Sequence, residues 1–211
     1  MNNQFISKVF RWLGLGLLLT FAIAFYTSTN LNLLTIIFSN SGHLIILILE
    51  LILAIWLSSR ITTMKSSTAK ILYLAYAALT GLTLSSIFII YNLTSIIFIF
   101  LATSIIFIIF SFLGKNEKID LTNYGSYLAI ALLAVIVLEI INIFLMNNTL
   151  DIILCIVAIG IFVGYIAYDI RKILIYYERN DNMACYGAFQ LYLDFINIFL
   201  RLLRLFGRDR D

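Results

Sequence analysis

Along this chain the polar residues fall into short clusters, and between the clusters run stretches that are apolar on every side rather than on one face. A bilayer core takes roughly 20 predominantly apolar residues per helix, within a range of about 17 to 25. Seven stretches meet that length: Val9 to Tyr26, His43 to Ser59, Ile71 to Tyr91, Ser95 to Leu113, Tyr124 to Met146, Ile152 to Tyr177 and Tyr186 to Phe206. The pattern predicts an all-α integral membrane protein, with residues 1–211 forming a single transmembrane domain. Between the first two stretches, Thr27 to Gly42 is polar at its ends but carries Leu33, Leu34, Ile36, Ile37 and Phe38, and is expected to run as a helix along the interface. Only Asn92, Leu93 and Thr94 join the third and fourth stretches, which forces a tight antiparallel hairpin, and the fifth and sixth are joined almost as tightly. With no long soluble loop, any chemistry has to occur inside the helices' packing or at its mouths.

Composition agrees with that pattern. Of 211 residues 63% are hydrophobic and 12% charged, and the mean hydropathy is +1.05, far from the roughly 25% charged of an ordinary globular domain. The chain has no proline, so helix breaks must come from glycine, polar insertions or packing. The net charge of +3 is small and its basic residues follow the links, which excludes a nucleic-acid partner. Cys155 and Cys185 form no CxxC and are accompanied by one histidine, His43, so they read as packing residues and not as a thiol or zinc centre. The first stretch lacks a small-residue cleavage site and reads as a retained span.

Lysine and arginine set the orientation. Lys8 and Arg11 flank the first span; Arg60, Lys65 and Lys70 follow the second, Lys115 and Lys118 the fourth, and Arg171, Lys172 and Arg179 the sixth, whereas the links after the first, third and fifth carry none. The positive-inside rule then places the N-terminus in the cytoplasm. The last stretch conflicts with that rule, since crossing would carry Arg201, Arg204, Arg208 and Arg210 to the outer side. Either six earlier helices hold it there or it enters and returns without crossing.

Four acids interrupt the apolar runs: Glu50, Glu139, Asp169 and Asp194. A carboxylate in lipid costs several kcal/mol unless paired, solvated or protonated, so each is a candidate functional position. Interhelical hydrogen bonding is the plainer role for Glu50 and for Glu139, which has Asn142 on the same helical face. Asp169 follows Tyr165 and Tyr168 near the predicted cytoplasmic end of its helix. Asp194 lies on a polar stripe with Gln190, Asn197 and Arg201. Simple pairs, Asp169 with Lys172 and Asp194 with Arg201, are the structural alternative. Two carboxylates close together in low dielectric cannot both stay ionised, so the pair is expected to share one proton and to sense pH. Arg60, at the same predicted face as Asp169, is either an ordinary flank or a guanidinium that grips a carboxylate and releases it on protonation.

Three stretches carry a resemblance: the opening Phe5-Ile-Ser-Lys-Val-Phe-Arg-Trp-Leu-Gly-Leu-Gly-Leu-Leu-Leu-Thr20, Ala167-Tyr-Asp-Ile-Arg-Lys-Ile173, and the ending from Tyr186 through Gln190, Asp194, Asn197, Arg201 and Arg204 to Gly207. Together they resemble the transmembrane Bax-inhibitor-motif family over the whole chain. The resemblance implies a seven-helix bundle, six helices around a central C-terminal helix, acting as a pH-sensitive calcium leak. It implies Asp169 and Asp194 as sensing pair and gate, with transient calcium contact, Arg60 as the latch of the closed state, and Glu50 on the ion pathway. Asn197 and Glu139 are further candidates for that pathway. No cofactor is expected beyond calcium as the permeant ion; bilayer, calcium and protons are the expected partners. Relatives often continue Tyr-Asp with Thr-Gln, where this chain has Ile170-Arg171, an added cation beside the pair. The short chain without a soluble extension points to a bacterial inner membrane.

Two other classes compete. A non-conducting modulator of other membrane proteins would dock through small-residue faces such as Gly14 with Gly16 or Gly160 with Gly164. An intramembrane aspartyl protease also sets two aspartates on adjacent helices. Tyr168-Asp169 resembles half of its signature, but Leu191-Tyr-Leu precedes Asp194 in place of Gly-x-Gly, and a Pro-Ala-Leu motif is impossible without proline. A non-enzyme is therefore expected.

Overall fold

A computed structural model describes residues 3–38, 42–116, 121–176 and 181–210. Of the sequence-based expectations, Lys118, Arg179 and the end of the sixth stretch at Tyr177 lie outside the described residues. Among them nine α-helices follow one another: α1 (Asn3–Thr29), α2 (Leu31–Phe38), α3 (Gly42–Arg60), α4 (Ser66–Leu84), α5 (Ile87–Ile90), α6 (Leu93–Lys115), α7 (Gly125–Leu145), α8 (Asn148–Tyr176) and α9 (Asp181–Phe206), with a 3-10 turn at Thr122–Tyr124. Seven helical stretches are long and apolar enough to cross a membrane, α4 and α5 counting as one. The protein is thus an all-α membrane protein, as its hydropathy pattern predicts.

The residues that end and start helices are polar side chains, as a chain without proline requires. Asn30 stops α1, and its Oδ1 accepts the backbone N–H groups of Asn32 and Leu33 at 3.1 and 3.2 Å, capping α2. The segment expected to extend a helix along the interface is therefore a separate eight-residue helix, with only Ile37 buried. The third stretch begins earlier than predicted, at Ser66, and breaks at Ser85 and Ser86. Their hydroxyls donate to Leu82 O at 2.7 Å and Thr83 O at 3.1 Å, competing with the backbone ladder. At the turn between α7 and α8, Met146 adopts a left-handed conformation with φ 49°. Asn142 holds that turn by accepting from Asn147 N–H and donating to Asn147 O, each at 3.2 Å, and Asn147 Oδ1 caps α8 at Leu150 N–H.

The Cα positions group into two compact units, one of residues 1–93, 178–192 and 209–211, the other of residues 94–177 and 193–208. In the first unit α4 packs against α1 and α3. Thr20 ties three elements: it donates to Gly16 O at 3.0 Å or to Ala77 O at 2.9 Å, and its hydroxyl lies 2.7 Å from Tyr192 Oη. Edge-to-face contacts of Tyr73 and Tyr76 with Phe189 and Tyr192 surround it. In the second unit α7 packs on α8, and Phe195 of α9 meets Phe100 and Phe107 of α6 with ring centroids 5.2 and 5.8 Å apart.

Helix α9 contributes its first part to one unit and its second part to the other. It is the most buried of the spans, with 61% of its apolar window inside, against 6% for α3, as expected for a helix enclosed by others. At its start Asp181 lies 3.2 Å from Lys8 and 2.9 Å from Lys70 near the beginnings of α1 and α4. Beyond its end Arg210 N–H donates to Ile90 O at 2.8 Å, and Asp209 pairs with Tyr91 in an isolated antiparallel bridge. The helix therefore runs the full length of the α4–α5 span, about 39 Å at 1.5 Å per residue, and does not turn back.

Candidate functional site

The second unit brings together both aspartates that the sequence singles out. Asp169, two turns from the end of α8, is 7% exposed, and Asp194, mid-way along α9, is 5% exposed. They are electrostatic neighbours, the charge of Asp169 acting on Asp194. Tyr165 feels both. Asp194 Oδ2 is buried and has no hydrogen-bond partner among the described residues. A buried ionised carboxylate with an open oxygen is strongly disfavoured, whereas a proton shared across two carboxyl groups meets that deficit.

Close packing fixes the helix that presents Asp169. At Gly114 on α6 an added Cβ would meet the Ala167 backbone carbonyl, with Ile170 Cβ at 2.9 Å. At Gly125, the first residue of α7, it would meet Tyr168 Oη at 2.5 Å. Both glycines thus permit the approach of the residues on either side of Asp169. The ammonium of Lys172 sits 5.5 Å from the Tyr168 ring centroid and acts electrostatically on Asp169; no salt bridge between them is formed within 4.0 Å. The added cation of this chain, Arg171, has its Nε buried without a partner among the described residues.

The expected stripe down α9 divides. Arg201 does not pair with Asp194: it forms a fork with Glu139 of α7, its Nη1 on Oε1 and its Nη2 3.1 Å from Oε2. Its neighbour Arg204 lies 2.5 Å from Asp151 Oδ1. Two of the four arginines that conflict with the charge rule, Arg201 and Arg204, thus lie against acids, and both oxygens of Glu139 are engaged by Arg201. Asn197 donates to Leu193 O one turn back at 2.8 Å, leaving its side-chain oxygen as the available ligand. Sequence reasoning passed over Asp151, which stands at the edge of a stretch; the surplus of arginine at that end was the signal that could have found it.

In the first unit Glu50 is held by two hydroxyls of α4, Thr80 at 2.7 Å and Thr83 at 2.8 Å. That is the interhelical hydrogen bonding its mid-span position requires, supplied by residues whose role was not apparent from sequence. Arg60 is the exposed last residue of α3 and belongs to the first unit, whereas Asp169 belongs to the second. Gly16 faces Tyr73, and Gly164 lies 3.0 Å from Leu128 by its would-be Cβ, so both serve internal packing; Gly14 and Gly160 have nothing within 4 Å. Cys155 and Cys185 are buried free thiols. No group of three or more His, Cys, Asp or Glu that could hold a metal occurs among the described residues.

Residues 2–211 match the family model described as inhibitor of apoptosis-promoting Bax1. An uncharacterized protein of Borreliella burgdorferi is 38% identical over 219 residues, covering 100% of this chain and 94% of that protein. The inner membrane protein YbhL of Escherichia coli is 37% identical, covering 99% and 93%. An uncharacterized protein of Rickettsia prowazekii is 35% identical, covering 99% and 91%.

Proposed function

The chain belongs to the Bax inhibitor family of integral membrane proteins, and on that premise we propose that it is a pH-sensitive calcium leak of a bacterial inner membrane, gated by Asp169 and Asp194. The observation that carries this reading is the burial of the two carboxylates as neighbours in one unit, with Asp194 Oδ2 unpartnered among the described residues. Such a pair changes its charge by one unit when the shared proton leaves. Repulsion then favours separation of α8 and α9 around the pair, and the contacts that survive differ in the two states. Arg60 enters as latch of the closed state on the strength of the family resemblance. Glu50, with its two threonine donors, and the free oxygen of Asn197 are the candidate contacts for a passing cation. The protein acts as a transporter and carries out no covalent chemistry in this reading.

Calcium entry into proteoliposomes containing the purified full-length chain, followed with a trapped dye over a pH series, tests it. The expected result is a calcium flux above that of protein-free vesicles and dependent on pH. A flux equal to the protein-free control at every pH removes the leak and favours a modulator of other membrane proteins, the reading that the family's printed description suggests.

A further inference from the structure

The turn between α7 and α8 borders a second polar region, about 27 Å along α8 from the aspartate pair at 1.5 Å per residue. It is a cavity of about 410 Å³ in the second unit, lined among others by Glu139, Ile143, Met146, Asn148, Asp151 and Arg204. That volume lies in the range of small-molecule sites, roughly 300 to 1,000 Å³. Two carboxylates and one guanidinium line it; Glu139 is neutralised by Arg201, which leaves Asp151 and Arg204 as the charges with hydrogen-bonding capacity to spare. A lone anion would meet Asp151, and a lone cation would meet Arg204. A zwitterion satisfies both signs at once.

The position narrows the occupant further. The cavity lies where α7 ends, and its rim residues Ile143 and Met146 are 68% and 85% exposed, as is the apolar face of α7 that leads to it. In a bilayer such a face meets acyl chains, while the turn beyond it meets headgroups. Glu139 is pinned by Arg201, and the half-exposed Arg204 spends only part of its five-donor fork on Asp151. We propose that this cavity holds the headgroup of a phospholipid bearing both a phosphate and a primary amine, the phosphate against Arg204 and the ammonium against the second oxygen of Asp151. Its occupant would brace the α7–α8 turn and the end of α9 from the lipid side.

Native mass spectrometry and thermal unfolding of the purified full-length chain in detergent, with phosphatidylethanolamine, phosphatidylglycerol or soluble phosphoethanolamine added, test the proposal. The expected result is retention of phosphatidylethanolamine several-fold above phosphatidylglycerol, with a higher Tm, and no effect of phosphoethanolamine at the same concentration. Asp151→Asn removes one negative charge and is expected to turn the preference toward phosphatidylglycerol. Asn148→Lys adds a positive charge at an exposed lining position without touching either ion pair, and is expected to do the same if Asp151→Asn fails to fold. Equal retention of the two lipids by the wild type, a preference that the folded variants leave unchanged, or full stabilisation by phosphoethanolamine alone would each overturn it.

Discussion

Glu139 and Arg201 show how one residue in lipid is made tolerable by another that the sequence separates by 62 positions. Each would be costly alone; as a fork they satisfy most of each other's hydrogen-bonding capacity. Glu139→Gln leaves the Arg201 guanidinium mostly buried and short of its counter-charge, so thermal unfolding in detergent is expected to show a loss of about 1 to 3 kcal/mol. Replacing both, Glu139→Leu with Arg201→Leu, is expected to recover a large part of that loss, because the penalty lies in the orphaned charge. A double variant less stable than the single one would refute this. Asp169 and Asp194 follow a different logic: in the proposed function they are like charges brought together and relieved by a shared proton.

At the scale of the helix, glycines separate positions where backbones approach from positions that merely face lipid. Gly114→Ala is expected to cost about 1 to 3 kcal/mol, since the new methyl meets a backbone carbonyl of α8 that has no way to yield. Gly125→Ala meets the tip of Tyr168, a side chain that swings aside, and is expected to cost less while disturbing the surroundings of Asp169. Gly160→Ala meets nothing within 4 Å and is expected to stabilise by up to about 1 kcal/mol through helix propensity. Ranking the three by Tm checks the order; Gly160→Ala as the worst would contradict it. The sequence read the spans well because apolar length alone defines them, and their ends shifted by a few residues where Asn30, Ser85 and Ser86 redirect backbone hydrogen bonds. Partners were another matter. The acids Glu50, Glu139, Asp169 and Asp194 stood out in apolar runs, but Thr80, Thr83 and Arg201 became visible as partners only once packing placed them, since helical periodicity does not tell which helix is next.

For the molecule as a whole, α9 runs the full length of the α4–α5 span, and the proposed topology of seven crossings puts the two termini on opposite sides. On the proposed orientation, with the N-terminus cytoplasmic by the charge rule, a single cysteine introduced at Asp209 is expected to react with an impermeant thiol reagent from the outer face of intact cells, and one at Lys8 only after lysis. The reverse pattern would invert the proposed orientation. The most direct test of a shared-proton gate is the pH profile of calcium flux through proteoliposomes of the wild type, Asp169→Asn and Asp194→Asn, each confirmed folded by its elution. The account predicts that both substitutions abolish the pH dependence found in the wild type. Wild-type profiles in both variants would contradict it.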